Sequence, residues 1–167
     1  MAGPSTADEA VTQLYTGQYA RLVRAAVLLL HDQEGAEDVV QDAFCDLHRR
    51  WSRLREPERA AAYLHKAVLN RSRSALRHRG VAGRHQQQPS GATPGADIAL
   101  LEAERREAVL DALAALPRRQ REVLVLRHYL DLSEDQIAHT LGISRGAVKS
   151  HAARAATALR GRLADQR

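Results

Sequence analysis

Close to the C-terminus, Ser133-Glu134-Asp135-Gln136 runs into Ile137, Ala138 and Leu141, and Gly142 is followed by Ser144 and Arg145. A serine hydroxyl that accepts from the amide three residues on, with a glutamine reaching back, is a capping box, so a helix starts after Ser133. Gly142 stands where that helix needs a left-handed exit, and Ser144 can cap a last helix from Arg145 to about Leu163. Two short helices joined by a glycine turn, the second opening with basic residues, form a helix-turn-helix. In such a unit the second helix enters the major groove with its N-terminal half. Val148, Ala152, Ala155 and Leu159 fall inward, whereas Arg145, Gly146, Lys149, Ser150, Ala153 and Arg154 fall outward. Arginine and lysine reach phosphates or guanine edges, and the small Gly146 allows close approach to a duplex. An ordinary helical hairpin is the alternative reading; what points to DNA is that the capping box, Gly142, the second cap and the basic outward face coincide.

Two further constellations lie in the N-terminal half. Glu37, Asp38, Gln41 and Asp42 sit about one helical turn apart, opposite the apolar stripe Ala36, Val39, Val40, Ala43, Phe44, Leu47 and Trp51. Such an acid-amide strip can engage basic helices on a partner, although a solvated face has the same pattern. Up to His48 the only basic residues are Arg21 and Arg24. The sign then reverses: Arg49, Arg50, Arg53, Arg55, Arg59, Lys66, Arg71, Arg73, Arg77, Arg79 and Arg84 face only Glu56 and Glu58. A basic loop and helix suit single-stranded DNA, where phosphates attract arginine and bases need flat surfaces or pockets. Asn70 can read a base edge through both amide groups, or form a helix–helix hydrogen bond.

These residues must be positioned by helices. Hydrophobic residues make up 44% and aromatics only 4%, which with abundant Ala, Leu and Arg favours an all-α globular chain over β-architecture. Apolar spacing predicts a first helix from about Thr6 to Leu30, with Val11, Leu14, Tyr15, Leu22, Val23, Ala26, Val27 and Leu30 on its stripe. A second helix follows over Glu34 to Trp51. Pro57 makes Ser52 to Pro57 a loop, and a third helix runs from Glu58 to about Arg79. Gly80-Val81-Ala82-Gly83, the Gln86 to Gly91 stretch and Pro94-Gly95 then read as a linker. Helices over Ile98 to Leu116 and Arg118 to Leu130 lead into the helix-turn-helix. The expected architecture is two small helical domains, 1–79 and 98–167, which a flexible linker over 80–97 leaves free to move independently.

Other classes of function are disfavoured. Cys45 is the single cysteine, so no disulfide framework forms within the chain. The histidines are scattered without metal-ligand spacing, so neither a metal nor a cofactor is expected. No phosphate-binding glycine loop, HExxH arrangement or nucleophile–base motif points to an enzyme. The start Met1-Ala2-Gly3-Pro4-Ser5 lacks secretory features, and the longest clear apolar run, Ala25 to Leu30, is far short of a membrane span. No membrane insertion and a cytoplasmic location are expected.

Taken together, the motifs resemble extracytoplasmic-function sigma factors of the sigma-70 superfamily. Gly35-Ala36-Glu37-Asp38-Val39-Val40-Gln41-Asp42-Ala43-Phe44 is similar to the segment that docks on the clamp helices of the RNA polymerase β′ subunit. Tyr63-Leu64, Asn70 and Leu76-Arg77 resemble the helix that reads the −10 promoter element. Leu116-Pro117-Arg118-Arg119-Gln120-Arg121-Glu122-Val123-Leu124, continued by the helix-turn-helix to Leu159, resembles the domain that reads the −35 element. The resemblance implies a subunit that binds core polymerase, through β′ and β, and directs promoter-specific initiation. It implies core contacts from Glu37, Asp38, Gln41 and Asp42. It implies −10 contacts from Arg53, Arg55, Tyr63, Lys66, Asn70, Arg73 and Arg77, and −35 contacts from Arg145, Gly146, Lys149, Ser150 and Arg154. An anti-sigma inhibitor clamping the two domains is a further hypothesis.

The chain departs from the family pattern at several positions. Tyr63 stands where many relatives have Trp, Ser74 where many have Asp, Gln136 for a usual Glu and Ala147 for a usual Thr. Arg73 and Ser74 differ in charge from the common pattern, which bears on −10 sequence preference rather than on fold. An autonomous helix-turn-helix regulator would share the C-terminal unit, but would leave the acidic strip and the arginine-rich helix without a task.

Overall fold

The computed structural model describes residues 6–82 and 96–165, and every regular element among them is helical. Helix α1 (Ala7–Leu30) opens on a capping box: Glu9 N donates to Thr6 Oγ1 at 3.3 Å and Thr6 N to Glu9 Oε2 at 3.4 Å. It ends at His31, which adopts the left-handed conformation (φ 53°) and donates its amide to the Val27 carbonyl. Helix α2 (Gln33–Arg50) buries Ala36, Val39, Val40, Ala43, Phe44 and Leu47, the stripe that the spacing predicts. Trp51 does not extend this helix; it opens a 3-10 turn over Trp51–Arg53 and stays half-buried.

A second 3-10 turn, Pro57–Arg59, replaces the expected start of the third helix, because proline holds Glu56 in extended geometry. Helix α3 (Ala60–Ala82) buries Leu64, Val68 and Leu69. It runs past the predicted end near Arg79, so Gly80 to Ala82, expected in the linker, are helical. The remainder of that linker, residues 83–95, lies outside the described residues. Near its C-terminal end α3 is tied to the start of α2 by an Arg79–Asp32 ion pair. A Cβ at Gly35 would collide with the Asp32 carboxylate, so glycine at this position keeps the pair intact.

The second half comprises α4 (Ala96–Ala114), α5 (Arg118–His128), α6 (Glu134–Leu141) and α7 (Arg145–Ala164). Helices α5 and α6 pack on α7, while α1, α2 and α3 form the other bundle. In this structure the two bundles are docked on each other. One apolar cluster continues from Leu22, Leu29, Phe44, Leu64 and Leu69 into Val125, Leu126, Ile137 and Val148. A smaller cluster of Leu113, Leu116, Leu124 and Ala155 is covered by Leu28 of α1. The physical reason lies in Ala25 to Leu30. These six consecutive apolar residues leave no polar side in the last turns of α1, so one face packs on α2 and α3 and another needs its own cover. Docking supplies that cover, at about 1.5–3 kcal/mol for each large aliphatic side chain fully removed from water.

Candidate nucleic-acid and protein interfaces

The α2 strip projects outward as its spacing requires, with Glu37, Asp38, Gln41 and Asp42 all exposed. Gln33 Nε2 donates to Glu37 Oε1 at 2.7 Å, and the Tyr15 hydroxyl donates to Gln41 Oε1 at 3.4 Å. Asp42 lies 3.7 Å from Arg71 Nη1, whereas Asp38 has no ion pair among the described residues. A carboxylate held on a rigid helix without an internal cation is available to one on a partner.

Tyr63 of α3 separates two open cavities. One, of about 310 Å³, is lined by Asp46, Lys66, Ala67, Asn70, Arg71 and Ser74 as well as Tyr63. The other, of about 360 Å³, is lined by Arg50, Arg53, Leu54 and Arg55 with Tyr63. Five of the residues expected to meet the −10 strand, Arg53, Arg55, Tyr63, Lys66 and Asn70, therefore share one continuous surface. Asn70 is exposed and its amide forms no hydrogen bond among the described residues, so the helix–helix alternative has no partner there. Arg77 is exposed and donates to Ser74 Oγ at 2.9 Å, which places it at the cavity edge.

Arg73 is the exception. Its Nε and Nη2 donate to both carboxylate oxygens of Glu122 in α5, at 2.7 and 2.8 Å. The charge-assisted bonds raise the Arg73 guanidinium above its ordinary value, more than burial lowers it. Glu122 itself is only 1% exposed, and Arg119 Nη1 approaches it at 3.3 Å. Neither Glu122 nor the Asp46–Arg71 pair beneath the Asn70 cavity was legible as a site residue. For Asp46 a signal existed, since Asp42 and Asp46 stand one turn apart on α2 and both meet Arg71. For Glu122 none did, because its partner lies 49 positions away.

The helix-turn-helix forms as its caps predict. Gln136 N donates to Ser133 Oγ at 3.2 Å and Ser133 N to Gln136 Oε1 at 2.8 Å. Gly142 takes φ 67°, and Ala147 N donates to Ser144 Oγ at 3.1 Å. Val148, Ala152 and Ala155 are buried, and Arg145, Gly146, Lys149, Ser150, Ala153 and Arg154 are exposed. Arg145 Nε lies 3.1 Å from Asp135, and Lys149 Nζ lies 3.8 Å from Glu134, so the acids opening α6 orient the first turns of α7. Exposed pairs of this kind are worth under about 1 kcal/mol and give way readily to phosphate.

His31 sits against Glu107 Oε1 at 2.8 Å and Asp111 Oδ1 at 3.8 Å. The donor types could accept a cation, but the contacts are those of a histidine bridging two exposed carboxylates across the docked bundles. None of the helices among the described residues is long and apolar enough to cross a membrane.

Residues 14–81 match the family model for sigma-70 region 2, and residues 106–159 match that for sigma-70 region 4. The chain is 33% identical over 141 residues to the RNA polymerase sigma-E factor of Streptomyces coelicolor, covering 83% of this chain and 77% of that one. It is 35% identical over 171 aligned positions to the ECF RNA polymerase sigma factor SigL of Mycobacterium tuberculosis, covering 96% and 93%. The fold matches the sigma factor RpoE solved in complex with the anti-sigma factor NepR from Bartonella quintana, with a TM-score of 0.73, 23% identity and coverage of 93% and 98%. Both region models fall on the two helical bundles, in order along the sequence. The chain therefore belongs to the extracytoplasmic-function group of the sigma-70 family, the promoter-recognition subunits of RNA polymerase.

Proposed function

We propose that the chain docks on core polymerase through Glu37, Asp38, Gln41 and Asp42, reads the −10 strand with the surface around Tyr63 and Asn70, and reads the −35 element with Arg145, Gly146, Lys149, Ser150 and Arg154. The observation that carries this reading is the coexistence, in one chain, of an exposed acid-amide strip, an open arginine-lined surface with an unpaired asparagine, and a capped helix-turn-helix with a basic outward face. Each suits one partner: a basic protein surface, a single strand with splayed bases, and a duplex groove. Such a subunit works where polymerase and chromosome are, in the cytoplasm. An anti-sigma protein is a further partner of this reading, supported by the RpoE–NepR complex that the fold resembles. The deciding experiment is reconstitution with core polymerase, followed by promoter-dependent transcription. Initiation that requires both the chain and a promoter carrying matched −10 and −35 elements is expected. Duplex binding by the free chain, without any effect on polymerase, would favour an autonomous regulator instead.

A further inference from the structure

We propose that Glu122 is an internal substitute for a DNA phosphate, which takes Arg73 from the −10 surface and latches the two bundles in a closed, non-binding state. The latch deepens the reading above, because it rests on Arg73 being a DNA contact. A carboxylate and a phosphate both offer two oxygens to the planar guanidinium fork, and Glu122 engages it in that bidentate manner. Arg73 cannot hold both at once.

The seam around this pair is built rather than incidental. Arg21 Nε donates to the Tyr129 carbonyl at 2.7 Å, and its Nη2 pairs with Asp131. Arg21 is one of two basic residues in the acidic N-terminal stretch, and it is spent on the other bundle. Helix α6 also brings His139 and Thr140 against Arg55, Tyr63 and Lys66, walling a cavity of about 390 Å³ on the strand-binding side. The closed state is incompatible with reading both elements. The −35 and −10 positions lie about 25 base pairs apart, roughly 80 Å along B-DNA, whereas α3 and α5 here touch.

The latch can also open. A buried carboxylate without a cation is strongly unfavourable, but Arg119 at 3.3 Å and Arg118 at 3.8 Å lie on the same helix and remain when Arg73 leaves. At the pair itself, opening exchanges one guanidinium for water and two neighbours; the apolar seam between the bundles adds its own cost, which binding to polymerase and DNA must offset.

The experiment uses the full chain labelled at the native Cys45, which is exposed and the only cysteine, and at Thr157→Cys on the exposed side of α7. Distance distributions are measured by pulsed electron paramagnetic resonance, with circular dichroism confirming helical content. The parent chain should give a dominant short population. Glu122→Gln and Arg73→Gln, which break the pair from opposite bundles, should each shift it to long distances. If the open state is about 1–10% populated in the parent, Glu122→Gln should bind a single-stranded −10 oligonucleotide about 10- to 100-fold more tightly. Both variants staying closed would overturn the latch, as would an opened Glu122→Gln chain with no gain in strand affinity. Holoenzyme carrying Arg73→Ala separates the two levels. Weakened −10 binding there supports the DNA role independently of the latch, and unchanged binding removes that role and with it the competition.

Discussion

Arg71 of α3 pairs with Asp46 of α2, and the two side chains together line the cavity that contains Asn70. The hydrogen bond from Arg71 holds the Asp46 carboxyl below its ordinary value, against the opposing effect of burial, with Arg49 and Arg50 adding to the depression. Because the folded-state value is depressed, the stabilisation is fully present above the ordinary carboxylate pKa of about 4 and is lost as pH falls through the depressed value. Asp46→Asn should cost about 1 kcal/mol at neutral pH, a modest figure because both partners touch solvent. Urea denaturation checks this. The gap between parent and variant should narrow below about pH 4, and equal stability at neutral pH would show that the pair is not a support of the cavity.

Much of this architecture could be read in the chain, for identifiable reasons. The stripe of α2, the Ser133 box and the Gly142 exit are local: each is set by residues within one or two turns, and each forms as its spacing predicts. The surface around Tyr63 and Asn70 was legible because a single helix carries most of it. The docking of the bundles was not. It depends on which neighbour covers the second apolar side of α1, and periodicity identifies an apolar face without naming its partner. Glu122 shows the same limit in electrostatics. In the sequence it is one acid among arginines that could satisfy it locally, and only the fold brings Arg73 to it.

His65 offers a second titration. Burial pushes its imidazole down from the ordinary value, and the nearby Arg21 adds to the effect. The unfolded chain therefore takes up the proton first as pH falls below about 6.5, so this group lowers stability on acidification. His65→Gln should show a shallower loss of stability between about pH 6.5 and 5 than the parent in thermal melts. Identical slopes would mean that His65 titrates alike in the folded and unfolded chain.

The strip on α2 makes a prediction about assembly. Glu37 and Asp38 are exposed, and their neighbours Val39 and Val40 carry the packing. The double reversal Glu37→Lys and Asp38→Lys should leave the helical circular dichroism unchanged. If the strip docks as proposed, the reversal should weaken core polymerase binding by at least about tenfold, since two charges complementary to a basic partner surface would become repulsive. Unaltered affinity for core would remove the strip from the interface.

Substitutions on α7 should divide into two kinds. Arg145 and Lys149 are lightly held by Asp135 and Glu134, and Arg154 has no ion pair among the described residues. Loss of a base-reading arginine should cost about 1–3 kcal/mol and relax preference at one position. Loss of a phosphate contact should weaken all sequences alike and flatten the salt dependence. Arg145→Ala and Lys149→Ala should show both effects, and Arg154→Ala the second alone. Holoenzyme binding across −35 variants and salt concentrations measures both, and three unaffected variants would mean that α7 does not enter the groove.

Gly146 separates the needs of the protein from those of the DNA. A Cβ at this position would meet only Ser144 Oγ, at 3.9 Å, which is ordinary contact, and the backbone does not require positive φ. Alanine should therefore be tolerated, and because glycine costs about 0.5–1 kcal/mol relative to alanine inside a helix, Gly146→Ala should melt at or above the parent temperature. Among the described residues nothing around this position calls for glycine, so any need for it arises from what α7 binds. Gly146 stands one residue after Arg145 on the exposed start of α7, where a helix seated in the major groove brings its own backbone against the duplex. A methyl group there should weaken holoenzyme binding to −35 duplex by about tenfold, equivalent to about 1.4 kcal/mol, and Gly146→Leu should weaken it further. Stability and binding thus move in opposite directions in one variant, an outcome that a purely structural glycine cannot produce. If Gly146→Ala binds −35 DNA as the parent does, the start of α7 stands off the duplex, and recognition must come from the longer side chains alone.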